Sequence, residues 1–304
     1  MTNKKYDEMS FIEFQERFNN EEKCRNYFFK LRWPDGHICE ECRSDKCKKI
    51  TTRNKYFCSN CGRQFSLIKG TVLEGTHLPV KKWFCAIYLM AKDKRGISNL
   101  QLSRELNISY RAAALITRNI KNAMSQRDMK YMLEGIINMD EAFIGKPSGK
   151  AGRGTDKSKV IVALSVDNNN HPLYLKLKLV DNLRSNTINE FIKVSIREGS
   201  FIKTDEYKGY NKLLEIGYNH EAEKFEKDSA SKDYLHIIIS NLKSYILGTY
   251  HGLGTENLQV FLDEFCYRFN RRFFIGSLFD RLIKLCLLNI RLKQKDIAVF
   301  AQTS

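Results

Sequence analysis

Gly135-Ile-Ile-Asn-Met-Asp-Glu-Ala-Phe-Ile-Gly145 is the stretch on which the fold turns. After about Met132 the hydrophobic period changes from helical to alternating, and this segment, closed by a glycine at each end, reads as a strand. Asp140 sits within it. Further along, Val160 to Val166 and Leu173 to Val180 form a hairpin around Asp167-Asn-Asn-Asn-His171. The second arm sets Leu173, Leu175, Leu177 and Leu179 on one face and Tyr174, Lys176 and Lys178 on the other. A helix follows, with Thr187 to Glu190 read as a capping box and Gly199 as its stop. Phe201-Ile-Lys-Thr-Asp205 is another strand and Tyr210 to Ile216 a short helix. His236 to Leu247 and Leu258 to Arg272 are long helices.

Three meandering strands, a helix, a strand and then helices is the order of the ribonuclease H-like fold. Asp140 would lie on the first strand of such a sheet, and Asp205 would end the fourth, beside it. Phosphoryl transfer on DNA needs an activated oxygen nucleophile, a stabilised leaving oxygen and charge neutralisation. Two divalent ions supply all three. Mg²⁺ suits the task because it binds carboxylates and keeps open positions. A third ligand is expected from a later helix. His236 and Lys243 stand at i and i+7, on one helical face, so His236 could face the metals and Lys243 a phosphate. Imidazole suits Mn²⁺ better than Mg²⁺.

Upstream, Cys39-Glu-Glu-Cys42 and Cys58-Ser-Asn-Cys61 are two CxxC pairs with fifteen residues between them. Four thiolates at that spacing can close a tetrahedron around one Zn²⁺. Short strands are expected at Lys48 to Thr52, Tyr56-Phe57 and Gln64 to Ser66, with Tyr56, Phe57 and Phe65 packed on the metal site. Cys47 is a further thiol whose lone position favours no ligand role, and Cys85, Cys266 and Cys286 read as core residues. Before the ribbon, Ser10 to Leu31 reads as one helix; after it, Val80 to Lys92 reads as another. Ser98 to Ile120 reads as helix, tight turn, helix, with Leu102, Leu106, Ile108, Ala113 and Ile116 as its core. Its second helix would display Ser109, Tyr110, Arg111, Thr117 and Arg118 to phosphates and groove edges.

The chain has 304 residues, room for two or three domains, and a formal net charge of +16. That excess favours a polyanionic partner, because each neutralised phosphate releases counterions. The N-terminus is charged and lacks an apolar stretch, and no run approaches a membrane span. A cytoplasmic, nucleoid-associated protein is the expectation, with nine cysteines read as ligands and buried thiols rather than disulfides.

Several specific strings then carry a resemblance: Arg32-Trp-Pro-Asp-Gly36, the four cysteines, Met139-Asp-Glu-Ala-Phe-Ile-Gly-Lys146, Gly152-Arg-Gly154, Thr204-Asp-Glu-Tyr-Lys-Gly-Tyr210, Asn241-Leu-Lys243, Gly248-Thr-Tyr-His251 and Phe261 to Arg272. On these the chain resembles bacterial insertion-sequence transposases of the DDE superfamily, in the group with an N-terminal zinc ribbon. The resemblance implies an α/β, multi-domain protein: helix and ribbon at 1–78, helix-turn-helix at 79–130, a ribonuclease H-like domain at 131–292 and a loosely held tail at 293–304. It implies Asp140, Asp205 and His236 as ligands of Mg²⁺ or Mn²⁺, with histidine where the superfamily most often has glutamate. Asn241 is the rival for that third position. It further implies binding to double-stranded element ends and target DNA, strand cleavage and joining of the 3′-hydroxyl, and a homodimer or higher assembly on DNA. Arg111, Arg118, Lys243 and Arg271 are the expected DNA contacts, with Arg272 as another candidate for the backbone. Tyr207, His251, Arg268 and Asn270 are expected to support the site. The rival reading is a non-catalytic DNA-binding regulator, or an inactive copy, built from the same front modules.

Overall fold

In the computed structural model the described residues are 9–50, 52–145, 156–222, 234–250 and 253–291. The string Gly152-Arg-Gly154, His251 and the tail lie outside them. The chain divides into two compact units, residues 1–123 with 273–293 and residues 124–272 with 294–304.

The first unit opens with α1 (Phe11–Arg17) and α2 (Glu21–Arg32), where one helix was expected. The break has a local cause. Ser10 and Glu13 form a capping box on α1, and the Asn20 side chain accepts the Lys23 amide at 2.9 Å, which starts a new helix. The ribbon sheet is β1 (Cys47–Ile50), β2 (Lys55–Cys58) and β3 (Gln64–Phe65), antiparallel throughout. Next comes α3 (Val80–Lys92), whose cap, Pro79, has no side chain to offer. Glu21 of α2 takes that role: its carboxylate accepts the Val80 and Lys81 amides at 2.9 and 2.8 Å. The helix-turn-helix is α4 (Asn99–Leu106), capped by Ser98, and α5 (Tyr110–Asp128), whose last residues belong to the second unit. Asn107 turns the chain in the left-handed region at φ 47°. Leu102, Leu106, Ala113 and Ile116 are buried, as the pattern requires. Thr117 corrects the expectation: it is buried and donates to the Asn99 side chain at 2.6 Å, so it is not displayed.

The expected division also differs at the C-terminal end. Helix α9 (Leu278–Leu288) belongs to the first unit, not to the sheet domain. Its apolar face explains why. Phe279 packs among Phe14, Phe18, Phe84 and Tyr88, the Tyr27 hydroxyl donates to Asp280 at 2.6 Å, and the Val72 amide bonds the Cys286 carbonyl at 3.0 Å.

The second unit is built on a five-stranded sheet of β4 (Ile136–Ile144), β5 (Ser158–Val166), β6 (Pro172–Val180), β7 (Phe201–Thr204) and β8 (Asn219–Ala222). Spatial order is β6-β5-β4-β7-β8, with β4, β5 and β6 antiparallel and β7 and β8 parallel to β4. This is the ribonuclease H-like arrangement. Strand β8 went unread because Asn219, His220 and Glu221 show no apolar alternation. Helix α6 (Ser185–Ser195) starts ahead of the expected capping box: Asn182 accepts both the Arg184 amide and the Thr187 hydroxyl at 3.0 Å, leaving Thr187 inside the first turn. It stops at Ser195, and Gly199 turns the chain beyond it at φ +81°. Two 3-10 turns, Lys208–Tyr210 and Leu214–Ile216, replace the short helix expected there.

Two apolar layers sandwich the sheet. On one face Ala142, Ile144, Val162, Leu175 and Leu177 pack against α7 (Tyr234–Thr249) and α8 (Thr255–Phe269). On the other, Ile137, Met139, Ile161 and Ile202 pack against α6 and Tyr210. The outer rim of β6 is closed by side chains. Asn270 accepts the Leu175 amide at 2.7 Å and donates to its carbonyl at 3.0 Å; Gln259 accepts the Leu179 amide at 2.7 Å and donates to the Leu177 carbonyl at 3.2 Å. Two carboxamides thus stand in for a neighbouring strand.

Candidate active site and zinc site

Strand alternation aims Asp140 at the α7 side of the sheet, the face of Ala142 and Ile144. The β4–β7 ladder pairs Ile136 with Phe201, Ile137 with Ile202 and Asn138 with Lys203. The ladder ends there: Asp140 lies two residues beyond Asn138 on β4, and Asp205 two residues beyond Lys203, just past the end of β7 at Thr204. The Asp140 carboxylate accepts the Glu141 amide at 2.7 Å. The Asp205 carboxylate accepts the Tyr207 amide at 3.0 Å, an Asx turn that bends the chain away from β7. Tyr207 in turn donates its hydroxyl to the Leu183 carbonyl at 3.0 Å.

Helix α7 buries Leu235, Ile238, Ile239 and Leu242 against the sheet. That leaves His236, Ser240 and Lys243 on one exposed stripe. The His236 Nε2 lies 3.8 Å from the Asp140 Oδ2, with the imidazole half exposed. Asn241 is also exposed, but on the neighbouring stripe. Carboxylates and an imidazole are donors of the kind Mg²⁺ or Mn²⁺ accepts, but among the described residues the group of three or more such side chains close enough to hold an ion is the four cysteines of the first unit, not Asp140, Asp205 and His236.

Glu141 and Tyr210 were not among the expected site residues. Glu141 points to the opposite face and is buried, accepting the Tyr210 hydroxyl at 2.8 Å. Burial first, and then the Glu141 carboxylate, push the Tyr210 phenol well above its ordinary pKa, so it remains a donor. The available signal was the Asp140-Glu141 doublet itself: within a strand, consecutive acids must face opposite sides.

Arg271 is a correction. Rather than standing exposed as a DNA contact would, it ion-pairs with Asp128 at 2.8 Å, lies over the Tyr267 ring at 3.6 Å and is only 11% exposed. Arg268 is likewise turned inward, against buried Glu264 at 2.7 Å. Arg272 donates to the Pro172 and Leu173 carbonyls, and Asn270 closes the β6 rim. On α5, Arg111 is exposed and Arg118 partly so, seven positions apart on one face.

In the first unit, Cys39, Cys42, Cys58 and Cys61 bring their sulfurs within 4.8 Å of one another. The Cys39–Cys61 and Cys42–Cys58 separations are 3.6 and 3.5 Å, close to the ~3.8 Å edge of a tetrahedron with Zn–S bonds of about 2.3 Å. Each CxxC turns the same way. The Arg43 amide bonds the Cys39 carbonyl and the Gly62 amide bonds the Cys58 carbonyl, both at 2.9 Å, and both donors have positive φ. The Asn60 side chain and the Ser44 backbone hold the Cys42 thiol down to about 6, towards the thiolate a metal needs. Cys47 stands outside the cluster, opposite Cys58 in the β1–β2 ladder. Tyr56 stacks on Phe65 at 5.4 Å, and His37 stacks on Phe65 at 3.6 Å.

Residues 132–270 match the model of the ISXO2-like transposase domain, and residues 19–64 match that of the transposase zinc-ribbon domain. The chain is similar to an uncharacterized protein in transposable element ISH50 of Halobacterium salinarum. The two are 28% identical over 144 residues, 46% of this chain and 47% of that protein. The chain thus spans about half the length of that curated relative. Among solved structures, the Mos1 mariner paired end complex with Mn aligns over 67% of this chain and 77% of that one, at 16% identity and a TM-score of 0.27. At that score the fold assignment rests on strand order alone. No described helix is long and apolar enough to cross a membrane.

Proposed function

The chain belongs to the insertion-sequence transposases that join a zinc ribbon to a ribonuclease H-like domain, and from that premise we propose that it cleaves DNA at the ends of its element and joins the freed 3′-hydroxyl to target DNA. One observation supports this above others. Asp140 on β4 and Asp205, the residue after β7, each lie two positions past the last pair of one parallel ladder, with His236 3.8 Å from Asp140. These three residues would hold Mg²⁺ or Mn²⁺, with His236 as the third ligand in preference to Asn241, which lies on the neighbouring stripe. Such ions supply Lewis-acid stabilisation of the phosphoryl oxygens and an activated nucleophile. The chain's own part is to hold the acids at one level and to keep Lys243 on the His236 stripe, where its ammonium offsets phosphate charge.

The first unit grips the duplex. Its zinc ribbon and helix-turn-helix recognise the terminal inverted repeats, with Arg111 and Arg118 on phosphates. Two ends processed together call for a homodimer or higher assembly on DNA.

The test is strand cleavage of a duplex carrying the terminal repeats of the element that encodes the chain, with Mg²⁺ or Mn²⁺. Asp140→Ala and Asp205→Ala are each expected to slow cleavage at least about a thousandfold, roughly 4 kcal/mol of barrier. Unchanged cleavage in either variant overturns the reading.

A further inference from the structure

We propose that Glu141 and Tyr210 are positioning residues, whose buried hydrogen bond sets the spacing between the strand carrying Asp140 and the loop carrying Asp205. The proposal rests on reading those two aspartates as metal ligands. The β4–β7 ladder ends at Asn138 and Lys203, two residues short of the acids. Strand β7 itself ends at Thr204. Past that point β4 and the Asp205 loop need another tie. Tyr210 provides one. It lies five residues beyond Asp205, is fully buried, and returns its hydroxyl to Glu141 on β4 at 2.8 Å.

The loop between has no slack. Tyr207 meets Tyr210 edge to face at 6.1 Å, and a Cβ at Gly209 would come within 2.4 Å of the Tyr207 ring and 2.9 Å of Ile188. The link to the metal face is equally short. Asp140 accepts the amide of Glu141, so the peptide that anchors Glu141 below the sheet also orients the carboxylate above it. Outer partners that orient ligands in this way govern affinity, because metal binding tolerates little error in ligand placement.

The test is Mn²⁺ binding by calorimetry to the full-length protein with its zinc retained. Asp140→Ala should abolish the site. Tyr210→Phe and Glu141→Leu should each weaken binding about tenfold, and the double variant should be no weaker than either single. Glu141→Gln, whose carbonyl still accepts the tyrosine hydroxyl, should stay within about twofold of wild type. Tyr218→Phe is the structural control. It removes another buried tyrosine hydroxyl, bonded to the Ile196 carbonyl at 3.0 Å, and should leave Mn²⁺ affinity unchanged. Wild-type affinity in Tyr210→Phe and Glu141→Leu, or an equal loss in Tyr218→Phe, overturns the proposal while leaving the ligand assignment standing. Wild-type affinity in Asp140→Ala removes the ligand assignment, and the proposal with it.

Discussion

The cysteine cluster of the zinc ribbon and the metal site proposed for the five-stranded sheet arise by opposite routes. In the ribbon the four cysteines lie within 23 residues of sequence, Cys39 to Cys61, and the largest strand has four residues. So small a unit has little core, and the metal supplies much of its folding free energy. In the sheet unit the proposed ligands Asp140, Asp205 and His236 come from a strand, the turn after another strand and a helix, and two apolar layers exist without them. There the fold makes the site; in the ribbon the site makes the fold.

Breaking each region in turn sharpens that contrast. The largest effect is expected from Cys39→Ser or a strong chelator. Structural zinc contributes on the order of 10 kcal/mol of folding free energy in small modules, so residues 37–65 should become protease-sensitive as zinc is lost by native mass spectrometry. A zinc-free ribbon that still resists protease would erase the distinction. Next comes Arg271→Ala, which strands Asp128 in a mostly buried pair and should cost about 3–5 kcal/mol in urea denaturation of the sheet unit. Unchanged stability with a shallower salt dependence of DNA binding would restore Arg271 to the DNA surface. The smallest effect is expected from Asp140→Ala. Removing one of two neighbouring carboxylates should change folding stability by less than about 0.5 kcal/mol, or raise it, since sites are not selected for stability. A loss of several kcal/mol, read in the same denaturation, would make Asp140 a structural residue.

Legibility in the sequence followed the same contrast. The cysteines could be read because their spacing is local. The strands of the sheet unit could be read because strand order is a coarse property, carried by period and turn residues over many positions. What escaped depends on partners distant along the chain. Nothing near Arg271 announces Asp128, which lies 143 residues upstream. Nothing near Pro79 announces that Glu21 caps its helix. Helix α9 could be read as apolar, but its partners Phe14, Phe18 and Phe84 lie at the far end of the chain. Tyr210 was visible as a letter within a motif, and only its burial beneath the sheet gives it a role.

The amide-capped rim of β6 bears on how copies of this chain can meet. Sheets often recruit a neighbour by lending it an open border, and here that border is already occupied by Asn270 and Gln259. A newcomer strand would have to displace both before gaining its first bond. A sheet continued from one copy of the chain into another along this border would thus have to begin by breaking bonds the fold has already made.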